Sequence, residues 1–198
     1  LHHLLVPVVV GVGAMSVLAV TSSYRLRRLI AFRNPWEDPF DSGFQLVQSL
    51  IAIGRGEWFG VGLGSSVQKL FYLPEAHTDF VFAVLAEEFG FVGVVLVLGL
   101  FALLVGRALA ISRNAAQAGL TFQSYLAAAV GIWLGLQAFV NVGVNMGLLP
   151  TKGLTLPLLS YGGSSMLVTL AWLGVLLGVH HETQATGRSA VPREARRE

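Results

Sequence analysis

The sequence predicts an all-α fold, a polytopic transmembrane helix bundle of four spans with one long loop outside the membrane. Three observations predict it. Apolar residues make up 54 % of the 198, and the mean hydropathy is +0.68. Only 13 basic and 11 acidic side chains are present. Those charges avoid residues 1–24, 89–106, 114–151 and 153–181 altogether, more than half of the chain. Charge crowded into the remainder is the layout of a chain threading a bilayer rather than wrapping a water-excluding core. The same counts exclude other classes. Such hydropathy excludes disorder, the absence of cysteine excludes a disulfide scaffold and thiol chemistry, and a formal charge of +2 with acids and bases balanced excludes a nucleic-acid partner. Leu1 is not an initiator Met and no basic segment precedes the first apolar run, so a signal peptide is not expected and the chain is read as part of a longer protein.

About 20 mainly apolar residues cross a hydrocarbon core of roughly 30 Å. By that measure the spans fall at about residues 4–20, 79–110, 123–145 and 164–179, within a transmembrane region 1–181. Residues 21–78 form a connection far longer than usual, and such connections commonly carry function. It opens on a basic amphipathic stretch, with Arg25, Arg27, Arg28 and Arg33 around Leu26, Leu29, Ile30 and Phe32, suited to a membrane surface. A second amphipathic segment covers 44–53, and the glycine-rich 54–64 is expected to be flexible. Residues 182–198 are expected to form a disordered tail. Lys and Arg counts do not decide the orientation: seven lie on the side of the long loop and six on the other.

The densest polar cluster, Leu73-Pro-Glu-Ala-His-Thr-Asp79, lies where the long loop re-enters the membrane. A carboxylate at that border is partly desolvated, which raises its pKa toward the range of a general base. Asp79 is the candidate. If the helix already includes Pro74, Glu75 and Asp79 lie one turn apart on one face; if Thr78 caps it, Asp79 is an ordinary first-turn acid. Glu75, His77 and Asp79 together are also a candidate divalent-metal set. On the same helix, Glu87 is the acid placed to share Asp79's cavity, the alternative being a structural carboxylate buried against polar partners from another helix. Gln137, Asn141 and Asn145 recur at intervals of four and mark a face turned toward the bundle interior, with helix packing the plainer reading. Gly131-Ile-Trp-Leu-Gly135 matches a small-residue packing pattern.

Lys152 interrupts what is otherwise one uncharged stretch. It either snorkels to lipid headgroups or meets an anion. Gly162-Gly163 lets the chain turn before Ser164 or Ser165 caps the last span, and a helix N-terminus there suits a phosphate. An acid, a lysine and a helix N-terminus on one membrane face suit an amphiphile with a phosphorylated head.

These segments carry a resemblance. Residues 43–52, Gly54-Arg-Gly-Glu-Trp58 with Gly62-Leu-Gly-Ser-Ser-Val-Gln-Lys69, residues 73–88 and above all 147–165 resemble the SEDS family (FtsW/RodA) of membrane proteins. Pro150-Thr-Lys-Gly-Leu-Thr-Leu-Pro157 is more similar to its division branch, FtsW, than to its elongation branch. The resemblance covers the chain up to about Glu182 and the last four of the family's ten spans. It implies a peptidoglycan glycosyltransferase that polymerises lipid II with release of undecaprenyl pyrophosphate, in the bacterial plasma (inner) membrane at the division septum. It implies an extracytoplasmic long loop, a cytoplasmic C-terminus and a class B penicillin-binding protein, with other divisome membrane proteins, as partners. Asp79 matches the family's essential aspartate, the implied general base in an inverting transfer. Lys152 matches a functionally sensitive position, and Glu75, His77, Lys69, Ser164 and Ser165 are carried with it as substrate-binding candidates. A divalent cation, Mg²⁺ or Mn²⁺, is implied as cofactor, with Asp79 or Glu75 as candidate ligands. Alternatives within the family are a lipid II transporter (flippase) and a divisome scaffold. Without the preceding six spans the fragment is expected to be inactive alone.

Overall fold

The computed structural model of the chain describes residues 34–40, 43–68, 73, 75–151 and 153–189, with isolated positions 6, 9–11, 13 and 32. The expected first span and the basic stretch that follows it lie mostly outside the described residues. Lys69, Lys152 and residues 190–198 lie outside them entirely. Four helices are bounded: α1 (Phe44–Arg55), α2 (Val81–Gln117), α3 (Thr121–Asn145) and α4 (Gly163–Ser189). No strand occurs among the described residues. The last three are long and apolar enough to span a membrane, which makes the chain a multi-pass membrane protein.

Helix α2 runs to Gln117, past the expected end at 110, because no breaker intervenes before Gly119. That glycine takes φ +77° and turns the chain, its N–H donating to the Ala116 carbonyl while the Leu120 N–H reaches back to that of Ala115. Helix α3 begins at once, so α2 and α3 form a close antiparallel pair. The glycine pattern on α3 lies in their interface: a methyl added at Gly131 would sit 2.8 Å from Ala108 Cβ, and one at Gly135 3.2 Å from Val105. Ala108, Ile111 and Ala115 of α2 meet Ala127 of α3 and Leu176 and Val179 of α4 in one buried cluster. Large apolar side chains on the outer faces, such as Leu96, Leu103, Phe139, Leu167 and Leu177, stay exposed, as a lipid-facing surface requires.

Nine residues into α2 the helix breaks at Gly90, which takes φ 65°, ψ −162°. A break at this depth frees backbone groups that hydrocarbon cannot satisfy. Residues 57–62 satisfy them. The N–H groups of Val61 and Gly62 donate to the carbonyls of Glu87 and Glu88 (3.0 and 3.1 Å), and the N–H groups of Phe91 and Val92 donate to those of Glu57 and Trp58 (2.8 and 3.2 Å). So close an approach of two backbones requires glycine at Gly56, Gly60 and Gly90, where an added Cβ would collide with main-chain atoms of the facing segment. This corrects the expectation of a flexible 54–64 at two positions: Gly56 and Gly60 serve close contact, while Gly54, Gly62 and Gly64 meet no backbone. Trp58 adds an edge-on ring contact with Phe91, the centroids 5.3 Å apart.

Two further differences concern α4. Its first helical residue is Gly163, so Ser164 and Ser165 lie inside the first turn and do not precede it as caps. At the other end the helix continues through 182–189, correcting the expected disordered tail for those residues. Thr183 and Thr186 donate to the carbonyls four residues back, and Gln123 of α3 donates to Glu182 at 3.2 Å. No proline interrupts the helix before Pro192.

Candidate functional site

The candidate site is built around the turn 75–80 that precedes α2. Glu75 takes φ 58°, and its carbonyl accepts the N–H groups of Thr78, Asp79 and Phe80 at 3.1, 3.1 and 3.3 Å. Thr78 Oγ1 donates back to Glu75 Oε2 at 2.7 Å. Neither sequence alternative is met in full: Thr78 caps Glu75 and not the helix, which starts at Val81 without a side-chain cap. Glu75 and Asp79 are nevertheless one turn apart. Asp79 is half-buried, and its carboxyl is held above the ordinary value of 3.8, first by burial and then by the charge of Glu75.

The turn is pinned from α3. Asn141 Nδ2 donates to the Asp79 carbonyl at 3.0 Å and also to that of Leu154. Asn145 Nδ2 donates to the same Asp79 carbonyl at 3.1 Å, while its Oδ1 accepts the Ala83 N–H at 3.2 Å. Gln137 Nε2 donates to the Thr155 carbonyl at 3.1 Å. The polar stripe read as a packing face is thus a row of side-chain amides bonded to backbone on two segments. Asn145 in turn gives its own carbonyl to Ser49 Oγ of α1 at 2.8 Å.

The second segment is the connection from α3 to α4. Its Tyr161 N–H donates to the His77 carbonyl at 2.8 Å, and the Thr155 and Ser165 hydroxyls bond at 3.0 Å. Gly153 faces the carboxylate of Asp79 so closely that a Cβ there would stand 3.1 Å from Oδ2. The acid singled out in the sequence and the segment singled out for phosphate therefore share one face. A cavity of about 630 Å³ opens between the same turn and segment, lined by His77, Val81, Val84, Leu159, Tyr161 and Met166 and not by Asp79 or Gly153. Its apolar wall with a polar rim suits an amphiphile.

His77 and Glu75 are exposed on the turn that carries Asp79, Ser164 is exposed and Ser165 half-buried at the start of α4. Glu87 is elsewhere. It is fully buried, its carboxylate accepting Ser66 Oγ at 2.5 Å and the Val67 N–H at 3.3 Å, with Arg55 at 3.4 Å. Arg55 belongs to α1, another helix as the structural reading expects, and Ser66 and Val67 of the long loop join it. Among the described residues no group of three His, Asp or Glu side chains could hold a metal ion, which removes the set Glu75, His77 and Asp79 and leaves the two carboxylates. Gly153 and the two asparagines were not legible as site residues: a four-residue spacing marks an inward face, but not what that face will bond.

Comparison with known proteins identifies the relatives of this chain. The family model described as "Cell cycle protein", FtsW/RodA/SpoVE, matches residues 1–185. A protein of Thioalkalivibrio sulfidiphilus named "Probable peptidoglycan glycosyltransferase FtsW" is 64 % identical over 181 residues, covering 91 % of this chain and 45 % of the relative. The chain thus spans just under half the length of that relative. A chain from a solved structure titled "Structural coordination of polymerization and crosslinking by a peptidoglycan synthase complex" is 36 % identical, with a TM-score of 0.65 over 88 % of this chain and 48 % of that one. A crystal structure of the Thermus thermophilus rod shape determining protein RodA, an aspartate-to-alanine variant, is 47 % identical with a TM-score of 0.50 over 55 % of this chain and 36 % of that one.

Proposed function

The chain belongs to the FtsW/RodA/SpoVE family, and from that premise we propose that it forms the C-terminal part of a peptidoglycan glycosyltransferase of the division septum. The substrate is lipid II. The Asp79 carboxylate takes the proton of the acceptor's GlcNAc 4-hydroxyl as that oxygen attacks the anomeric carbon of the donor. The bond from that carbon to the pyrophosphate breaks, configuration inverts, and undecaprenyl pyrophosphate leaves with the electron pair. Lys152 supplies positive charge to the departing pyrophosphate, and Lys69, His77, Ser164 and Ser165 contribute polar contacts to the headgroups.

The observation that carries this reading is the close approach of Gly153 to the Asp79 carboxylate, which sets a half-buried acid against the segment joining α3 to α4. A base must be desolvated enough to hold a proton and close enough to reach one. Asp79 meets the first condition through burial, and its approach to Gly153 on the segment that borders the cavity supports the second. A magnesium-like cation keeps several waters and binds through one or two carboxylates plus substrate phosphates. Glu75 and Asp79 fit that demand, and a cation held there would neutralise charge on the donor pyrophosphate.

As partner and placement the same proposal takes what the family resemblance implies: a class B penicillin-binding protein beside the spans, the long loop extracytoplasmic and the C-terminus cytoplasmic. The competing reading is a lipid II transporter, and detergent separates the two. A micelle has no sides, so transport cannot yield polymer there. With this chain carried in a full-length protein and its synthase partner present, glycan strands should form from lipid II in detergent. Their complete absence, with both proteins folded and bound, would remove the polymerase reading.

A further inference from the structure

Asp79 is held by an unusual device. In a regular first turn its carbonyl would accept the N–H of Ala83. Instead the side-chain amide of Asn145 spans the two, Nδ2 donating to the Asp79 carbonyl at 3.1 Å and Oδ1 sharing, at 3.2 Å, the Ala83 N–H that also donates to the Phe80 carbonyl at 3.0 Å. Asn141, one turn earlier on α3, donates to the same carbonyl at 3.0 Å and to that of Leu154, next to Gly153. Both asparagines are buried, at 1 % and 0 % exposed. Packing alone does not call for this arrangement. A helix could begin two residues earlier with its own ladder, and small apolar side chains would fill the space on α3.

We propose that Asn141 and Asn145 are positioning residues for Asp79, holding the 75–80 turn open from α2 and fixing it in register with the 153–162 segment. The proposal rests on the reading of Asp79 as the base. The bridging amide stops the helix from winding through Asp79, which would swing its carboxylate about the helix axis by roughly 100° per residue. The shared donor of Asn141 ties the base to the segment assigned to the donor pyrophosphate. Proton acceptor and leaving-group site are thereby set at one spacing by a single helix. Such control matters because a misplacement of about 1 Å can cost on the order of 100-fold in rate.

The test replaces Asn145 by Leu, and separately Asn141 by Leu, in a full-length protein with its partner, with kcat and KM for lipid II measured on the folded, partner-bound fraction. Ser124→Ala is the structural control, because Ser124 bonds Ser112 at 3.2 Å across the same two helices far from the turn. The expected result is a kcat lower by about 10- to 100-fold, KM within about threefold, and the control at the starting kcat. Should Asn145→Leu fail to fold, Asn141→Leu decides, since Asn145 still bridges the turn there. A folded asparagine variant with unchanged kcat would overturn the proposal, as would a loss confined to KM or to the yield of folded protein. Asp79→Asn is run alongside. If it is inactive while the asparagine variants are normal, only the positioning role falls; if it is active, the role of the base falls with it.

Discussion

At the residue scale the chemistry depends on the protonation state of Asp79. Burial and the Glu75 charge both raise its pKa above 3.8. The base form is therefore lost at a higher pH than for a free aspartate as the solution is acidified. The acid limb of the polymerisation rate is expected above that value, and Glu75→Gln should move the limb downward by removing one of the two causes. A pH–rate profile of both proteins checks the sign, and an upward or absent shift counts against the electrostatic account. The same linkage bears on stability. A carboxyl whose folded pKa is raised favours the native state below its unfolded pKa, and that contribution is lost as pH rises through the folded value. Asp79→Asn should thus be at least as stable as the parent near neutral pH, which makes it a clean probe. The sequence already pointed to Asp79, because an acid at a membrane border is conspicuous against uncharged neighbours. It did not point to Gly153, whose role depends on the absence of a side chain opposite Oδ2.

At the element scale the informative feature is the broken helix. Gly90 sits at positive φ, and its Cβ position is filled by backbone of residues 56–60. Gly90→Ala is expected to lower the melting temperature of the detergent-solubilised protein by several degrees, since a backbone conformation open essentially to glycine costs roughly 1–3 kcal/mol and the collision adds to it. Gly99→Ala, in the same helix with nothing within 4 Å of the added methyl, should leave it unchanged or slightly raised. Equal melting temperatures for the two variants would contradict the interlocked backbone. The existence of α2, α3 and α4 was legible from apolar runs, and their ends were misjudged where hydropathy fades before the helix does. Residues 111–117 of α2 and 182–189 of α4 are polar enough to look like connection, yet no glycine or proline turns them before Gly119 in the one and through Gly187 in the other. The docking of 57–62 on Gly90 was illegible because glycine reads as freedom in a sequence, and only a facing backbone shows it to be a contact.

At the scale of the whole molecule, the proposed orientation places the 54–78 region outside the cytoplasm and the α2–α3 connection within it. A chain without cysteine allows a direct check. Ser65 and Gln117 are both exposed, so Ser65→Cys should react with an impermeant maleimide in cells with a permeabilised outer membrane, and Gln117→Cys only after lysis. The reverse pattern would invert the topology. The central claim is that Asp79 is the base of a lipid II polymerase. Its most direct test is the rate of glycan synthesis in detergent by a full-length protein carrying Asp79→Asn, bound to its partner. A fall of about 100-fold or more is expected, as for loss of a general base, with folding and partner binding intact. Polymer formed at the parent rate would contradict it.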